Sequence, residues 1–201
     1  MRVHLESLEQ MRTFAAALAE HLRAGDLLIL TGNLGAGKTT FTQSLGKALD
    51  VAGRITSPTF VIAREHPSRS GGPALVHVDA YRLADGEELE DLDLDSELDE
   101  SITVVEWGAG LAEQLSSDHL DITITPVWDE DAGDDGSVEM DDEDEVEDER
   151  RTVDLIGQGV AWADRMPAVE AAVSALPGVR VDAPASADLS AEDSADEGDE
   201  S

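Results

Sequence analysis

Nine residues near the start of the chain, GNLGAGKTT from Gly32 to Thr40, constrain its fold more than any other stretch. They satisfy the pattern G-x-x-x-x-G-K-[ST] with Gly32, Gly37, Lys38 and Thr39. The chemistry of that pattern works only where a buried strand runs into the loop and a helix leaves it, so that backbone N–H groups and the positive helix end converge on one anion. The flanks comply. Residues 26–32, DLLILTG, read as a short buried strand, and FTQSLGKALDV over 41–51 reads as a helix. Gly35 and Gly37 let the backbone approach a phosphate with no side chain between. Lys38 supplies a point charge for β- and γ-phosphate oxygens, and Thr39 offers a hydroxyl to Mg²⁺. Lys38 is also one of only two lysines in the chain, with Lys47.

Ahead of the loop, Leu8, Met11, Phe14, Leu18 and Leu22 recur at three- and four-residue steps, predicting an amphipathic helix over 6–23 with Ser7 as N-cap. Behind it, β-type runs follow at 59–65, 74–81, 101–107, 120–127 and 151–158. The acidic run 87–100 predicts a surface helix and turn, and 162–179 a further short helix or a partly ordered extension. The expected fold is α/β, a P-loop NTPase-like central β-sheet flanked by helices.

Charge divides the chain. Of 201 residues 46 are acidic and 13 basic, for a net charge of −33, yet residues 1–128 account for only −12. Residues 129–149 hold 14 acids and no base, which predicts a disordered acidic insertion, and 181–201 reads as a disordered acidic tail. The expected organisation is a P-loop domain over 1–128, the insertion over 129–149, a final strand of the same domain over 150–158, a short helical extension over 159–180, and the tail. The runs at 120–127 and 151–158 would then form a hairpin whose turn the insertion lengthens, at a closure cost that grows only logarithmically with length.

Composition narrows the function classes. So acidic a surface argues against direct binding to DNA, RNA or an anionic membrane. With 3% aromatics the chain is short of rings for stacking on bases. It has no cysteine, so disulfides, thiolate metal sites and cysteine nucleophiles are excluded. No apolar run is long enough to span a bilayer and no signal-peptide pattern opens the sequence, so a soluble cytoplasmic protein is expected.

A phosphate site of this kind needs an acidic metal partner and a group that positions the attacking atom. Asp79 ends the run ALVHVD, with His77 two residues earlier on the same face of the strand. Glu106 ends ITVVE, before Trp107 and Gly108. Either acid could serve, and either could instead cap a strand end. Ser57–Phe60, SPTF, stands where such proteins keep a segment that senses the γ-phosphate, and Thr59 could reach it, though Ser-Pro-Thr alone is also a stiff turn. Arg82 is either a charge-stabilising residue at the γ-phosphate or the partner of a nearby carboxylate.

In this order and spacing, GNLGAGKTT, SPTF, HVDAYRL and VEW resemble the TsaE family, bacterial P-loop ATPases of tRNA threonylcarbamoyladenosine synthesis. The likeness covers about residues 5–128. It implies that Gly32, Asn33, Leu34, Gly35, Ala36, Gly37, Lys38, Thr39 and Thr40 hold ATP, that Thr39 and Glu106 coordinate Mg²⁺, and that Asp79 and Lys38 are catalytic. Thr59 would be a switch residue and Trp107 a ring close to the nucleotide. Ser7, Leu8 or Glu9 would lie near the adenine. It further implies an ATPase of low intrinsic activity that acts with the TsaD–TsaB pair, which transfers threonylcarbamoyl to N6 of adenosine 37 in tRNAs reading codons that begin with A. The tRNA would be met only through that complex, which agrees with the acidic surface. Two other uses of the loop stand beside this one: a small P-loop kinase, for which Arg54, Arg64, Arg69 and Arg82 are scattered rather than paired, and a nucleotide-gated binding module in which hydrolysis is incidental.

Overall fold

The computed structural model describes residues 1–56, 63–83, 89, 98–127 and 148–182. Expectations for Thr59 and the rest of SPTF, for most of the run 87–100, for 129–147 of the acidic insertion and for 183–201 of the tail lie outside the described residues. The elements are β1 (Arg2–Leu5), α1 (Leu8–Ala19), β2 (Leu27–Thr31), α2 (Lys38–Ala48), β3 (Ala63–His66), β4 (Ala74–Asp79), β5 (Ser101–Glu106), a single 3₁₀ turn (Ala112–Gln114), β6 (His119–Pro126), β7 (Arg151–Gly157), α3 (Gly159–Ser174) and β8 (Arg180–Asp182).

These strands make one mixed sheet of order β3-β4-β5-β2-β6-β7-β1-β8. Its middle is parallel: β5 and β6 flank β2, and β4 runs beside β5. Its far side is antiparallel, β6 to β7, β7 to β1 and β1 to β8. An α/β sheet with helices over a P-loop is the architecture the loop demanded. Four consecutive apolar residues, Leu27–Leu30, suit β2 to its central place because both of its faces are covered. Leu28 and Leu30 join the larger core under the helices, with Phe14, Leu18, Phe41 and Leu45. Leu27 and Ile29 point the other way, into a smaller core with Val76, Val78, Val105 and Leu89.

α1 begins where expected, Ser7 Oγ accepting from Gln10 N at 3.3 Å, and ends at Ala19, short of residue 23. It crosses α2 through Phe14 and Phe41, whose ring centroids stand 5.9 Å apart. The hairpin of β6 and β7 forms in the pairing expected, Pro126 opposite Arg151 and Leu120 opposite Gly157. Two strands go beyond the sequence reading: β1, a four-residue strand ahead of the first helix, and β8, a three-residue strand after the last. Of the two readings of 162–179 the helix is the one formed, and α3 runs for 16 residues. Trp162, Val169 and Val173 bury its inner face, and Asp118 caps its start by accepting from Ala161 N at 2.8 Å. Among the described residues no helix is long and apolar enough to cross a membrane.

Candidate functional site

At the C-terminal ends of β2, β4 and β5 the sheet edge meets the start of α2. Gly32 turns the chain out of β2 at φ 152°, and a Cβ there would collide with the Ile124 carbonyl oxygen of β6, so only glycine fits. Gly35 at the loop tip, φ 78°, faces open space. Gly37 is the left-handed N-cap of α2, at φ 107°. No side chain caps α2 and no acid lies in its first turn, so the positive helix end is left to an anion. Asn33, Leu34 and Ala36 complete the loop; Leu34 is exposed at its tip and Ala36 is buried.

Lys38 is folded inward beneath the loop. Its Nζ donates to the carbonyl oxygens of Gly32 at 2.7 Å and Asn33 at 3.1 Å, and lies 3.7 Å from the centroid of the Trp107 ring. Burial pushes the Lys38 ammonium below the ordinary lysine value, while the Glu106 and Asp79 carboxylates oppose that shift. Trp107 itself adopts φ 61°, the left-handed region that bulky residues rarely enter. Its N–H donates to Leu30 O at 3.0 Å and its ring meets Tyr81 at 5.1 Å between centroids. A strained turn therefore carries the ring to the lysine.

The two candidate acids stand side by side, Asp79 opposite Glu106 in the β4–β5 register. Glu106 is buried, and Thr39 Oγ1 donates to its Oε2 at 3.1 Å. His77 Nε2 lies 2.8 Å from its Oε1. Asp79 Oδ1 accepts from Tyr81 N at 3.0 Å, shaping the turn that carries Arg82. Thus Lys38, Thr39, Glu106, Asp79 and Trp107 do converge on one corner of the fold.

Two residues enter the site that the motifs did not single out. Arg151, the first residue of β7, donates from Nε to Ala36 O at 2.9 Å and so braces the loop from the far strand. Glu149, two residues before it, accepts from Leu8 N at 2.9 Å. With Leu8, Met11, Gly37 and Thr40 they enclose a cavity of about 140 Å³ beside the loop. Of the three positions expected near a base, Leu8 lines this cavity, Ser7 is spent on capping α1 and Glu9 is exposed. The signal available in the sequence was the pair Arg150–Arg151 at the end of a stretch of 14 acids with no base.

Comparison with known proteins agrees with this geometry. Residues 5–132 match the family model of the threonylcarbamoyl adenosine biosynthesis protein TsaE. The tRNA threonylcarbamoyladenosine biosynthesis protein TsaE of Streptomyces coelicolor is 52% identical over 154 residues, 76% of this chain and 94% of the relative. The protein of the same name from Bacillus subtilis is 39% identical over 123 residues, 61% of this chain and 75% of that one. In fold, the crystal structure of Bacillus subtilis YdiB superposes with a TM-score of 0.63 at 24% identity, over 85% of this chain and 94% of the other. The phosphate loop, its two flanking acids and the match over most of the sheet lead to one conclusion: the chain belongs to the TsaE family of tRNA threonylcarbamoyladenosine biosynthesis proteins.

Proposed function

We propose that this chain is a Mg²⁺-dependent ATPase with low turnover of its own, acting with the TsaD–TsaB pair in threonylcarbamoyl transfer to N6 of adenosine 37 in tRNAs that read codons beginning with A. The observation that carries the reading is the uncapped start of α2 beneath a glycine loop, with Thr39 hydrogen-bonded to the buried Glu106. The residues suit the ligands. Backbone N–H groups from Gly32 to Thr40 and the Lys38 ammonium match a triphosphate in charge and in donor type. Thr39 and Glu106 offer hard oxygens, and among the described residues no group of three or more His, Asp or Glu side chains gathers to hold a metal alone. That suits Mg²⁺, which takes one or two protein oxygens and the rest from phosphates and water.

The divalent ion would neutralise charge on the β- and γ-phosphates. The chain's own groups then divide the work: Lys38 holds the phosphates, Asp79 orients the attacking water and takes its proton, and Trp107 limits water around Lys38. Thr59 would sense the γ-phosphate. Leu8, Met11, Thr40, Glu149 and Arg151 would face the nucleoside. A net charge of −33 leaves the tRNA to the partners, with this chain supplying a nucleotide-driven step.

ATP hydrolysis by the purified chain with Mg²⁺, alone and with the TsaD–TsaB pair of the same organism, tests this. Weak turnover that rises with the partners and vanishes in Lys38→Ala is the expected result. Turnover indifferent to the partners but driven by a small-molecule acceptor would replace it with a kinase.

A further inference from the structure

His77 is completely buried in β4, yet among the described residues its Nδ1 has no hydrogen-bond partner. An apolar side chain would fill such a place without leaving a polar atom unpaired. What the imidazole does have is one short contact, 2.8 Å from Nε2 to Glu106 Oε1. A carboxylate oxygen only accepts, so the Nε2 edge carries the donated hydrogen. Glu106 is thereby held at both oxygens: Oε1 by His77 and Oε2 by the Thr39 hydroxyl at 3.1 Å. The strand register explains how. His77 pairs with Val104 and Asp79 with Glu106, so His77 sits diagonally behind Glu106 on the face that meets α2 and reaches it from the interior.

We infer that His77 is a positioning residue for the magnesium site: it occupies the inner oxygen of Glu106 and turns the outer one toward Thr39, so that the divalent ion meets a preset carboxylate. The inference rests on the reading of Glu106 as the carboxylate that takes Mg²⁺. Groups that orient a metal ligand through its far atom commonly change metal affinity by about ten- to a hundredfold when removed. His77's own hydrogen bond goes to Glu106 and not to the phosphate loop, so removing it should act on nucleotide affinity through the metal.

The experiment measures ADP affinity by titration calorimetry in EDTA and in Mg²⁺, and partner-stimulated ATP turnover against Mg²⁺ concentration, for the unaltered chain, His77→Leu and His77→Gln. His77→Leu should match the unaltered chain in EDTA, lose the gain in affinity that Mg²⁺ confers by about tenfold and need about tenfold more Mg²⁺ for half-maximal turnover. His77→Gln, which keeps an N–H donor at similar reach, should recover most of both. Equal loss with and without Mg²⁺, or an unchanged Mg²⁺ requirement, overturns the inference. If His77→Leu does not fold, His77→Gln decides: a folded variant with a tenfold Mg²⁺ deficit refutes it, and near-normal Mg²⁺ dependence upholds it. An unaltered chain that binds nucleotide no better with Mg²⁺ instead removes the magnesium reading itself, and the inference with it.

Discussion

Asp26 and Glu106 are both buried carboxylates of the central sheet, at opposite ends of it, and they are satisfied in opposite ways. Asp26, just before β2, takes both terminal nitrogens of the Arg165 guanidinium, at 2.6 and 2.8 Å, and the backbone N–H of Arg23 at 2.9 Å. Arg165 also stacks on Trp162, 3.9 Å from its ring centroid. A full positive charge is already in place, in the bidentate geometry guanidinium favours, so this pair ties α3 to the root of β2 and is chemically closed. Glu106 is held instead by an imidazole and a hydroxyl. Its orientation is set while it keeps a demand for positive charge. A buried acid closed by arginine holds a fold together; one oriented by hydroxyl and imidazole is left able to take a cation, as the proposed function requires.

Exchanging the acids one at a time tests that contrast, and the largest effect belongs to the closed pair. Asp26→Ala strands Arg165 in a mostly buried site and should cost about 3 kcal/mol of stability, seen as a fall of roughly 10 °C in thermal midpoint. ATP turnover per folded molecule should persist. Glu106→Gln should do the reverse, with turnover falling about a hundredfold while the thermal midpoint holds or rises, since a buried charge is gone. A variant of either kind that loses stability and turnover together would erase the distinction. The smallest effect belongs to a third acid, the partly exposed Asp148, which Arg150 grips from Nε at 2.9 Å and from one terminal nitrogen at 2.5 Å. Those hydrogen bonds lower its carboxyl to about 2 from an ordinary 3.8. A depressed carboxyl stabilises the fold above the unfolded value and loses that contribution as pH falls through the folded one. Asp148→Asn should therefore lower the denaturation midpoint slightly at neutral pH, with the difference closing between pH 3.8 and about 2. An effect as large as that of Asp26→Ala would mean that burial is not what separates the pairs.

The parallel middle of the sheet and its loop were legible because their signals are local. Leu27–Leu30 is apolar on both faces, the glycine spacing dictates the turn, and Asp79 and Glu106 each end a β-favouring run. The antiparallel side was legible in part. β6 and β7 show alternation, but β1 and β8 are four and three residues long and hold only through partners distant in sequence, Leu5 opposite Arg151 and Arg2 opposite Asp182. α3 was blurred by Pro167 within it, which breaks helical propensity although the helix continues through. Within the site, residue types were readable and pairings were not. That His77 would meet Glu106 depends on the β4–β5 register, and the brace from Arg151 to Ala36 spans 115 positions.

The order of strands in space also sets a timetable for synthesis. Of the described strands β1 is translated first, yet its neighbours in the sheet are β7 and β8, the last two to be made. While the chain grows on the ribosome, the parallel core of β2, β4, β5 and β6 can assemble as its pieces emerge, but β1 has no edge to join until residues 151–182 are free. The cavity beside the loop, walled by Leu8 on one side and by Glu149 and Arg151 on the other, is therefore completed only after residue 151 has been made. A chain that stops short of residue 149 would carry the phosphate loop without this wall.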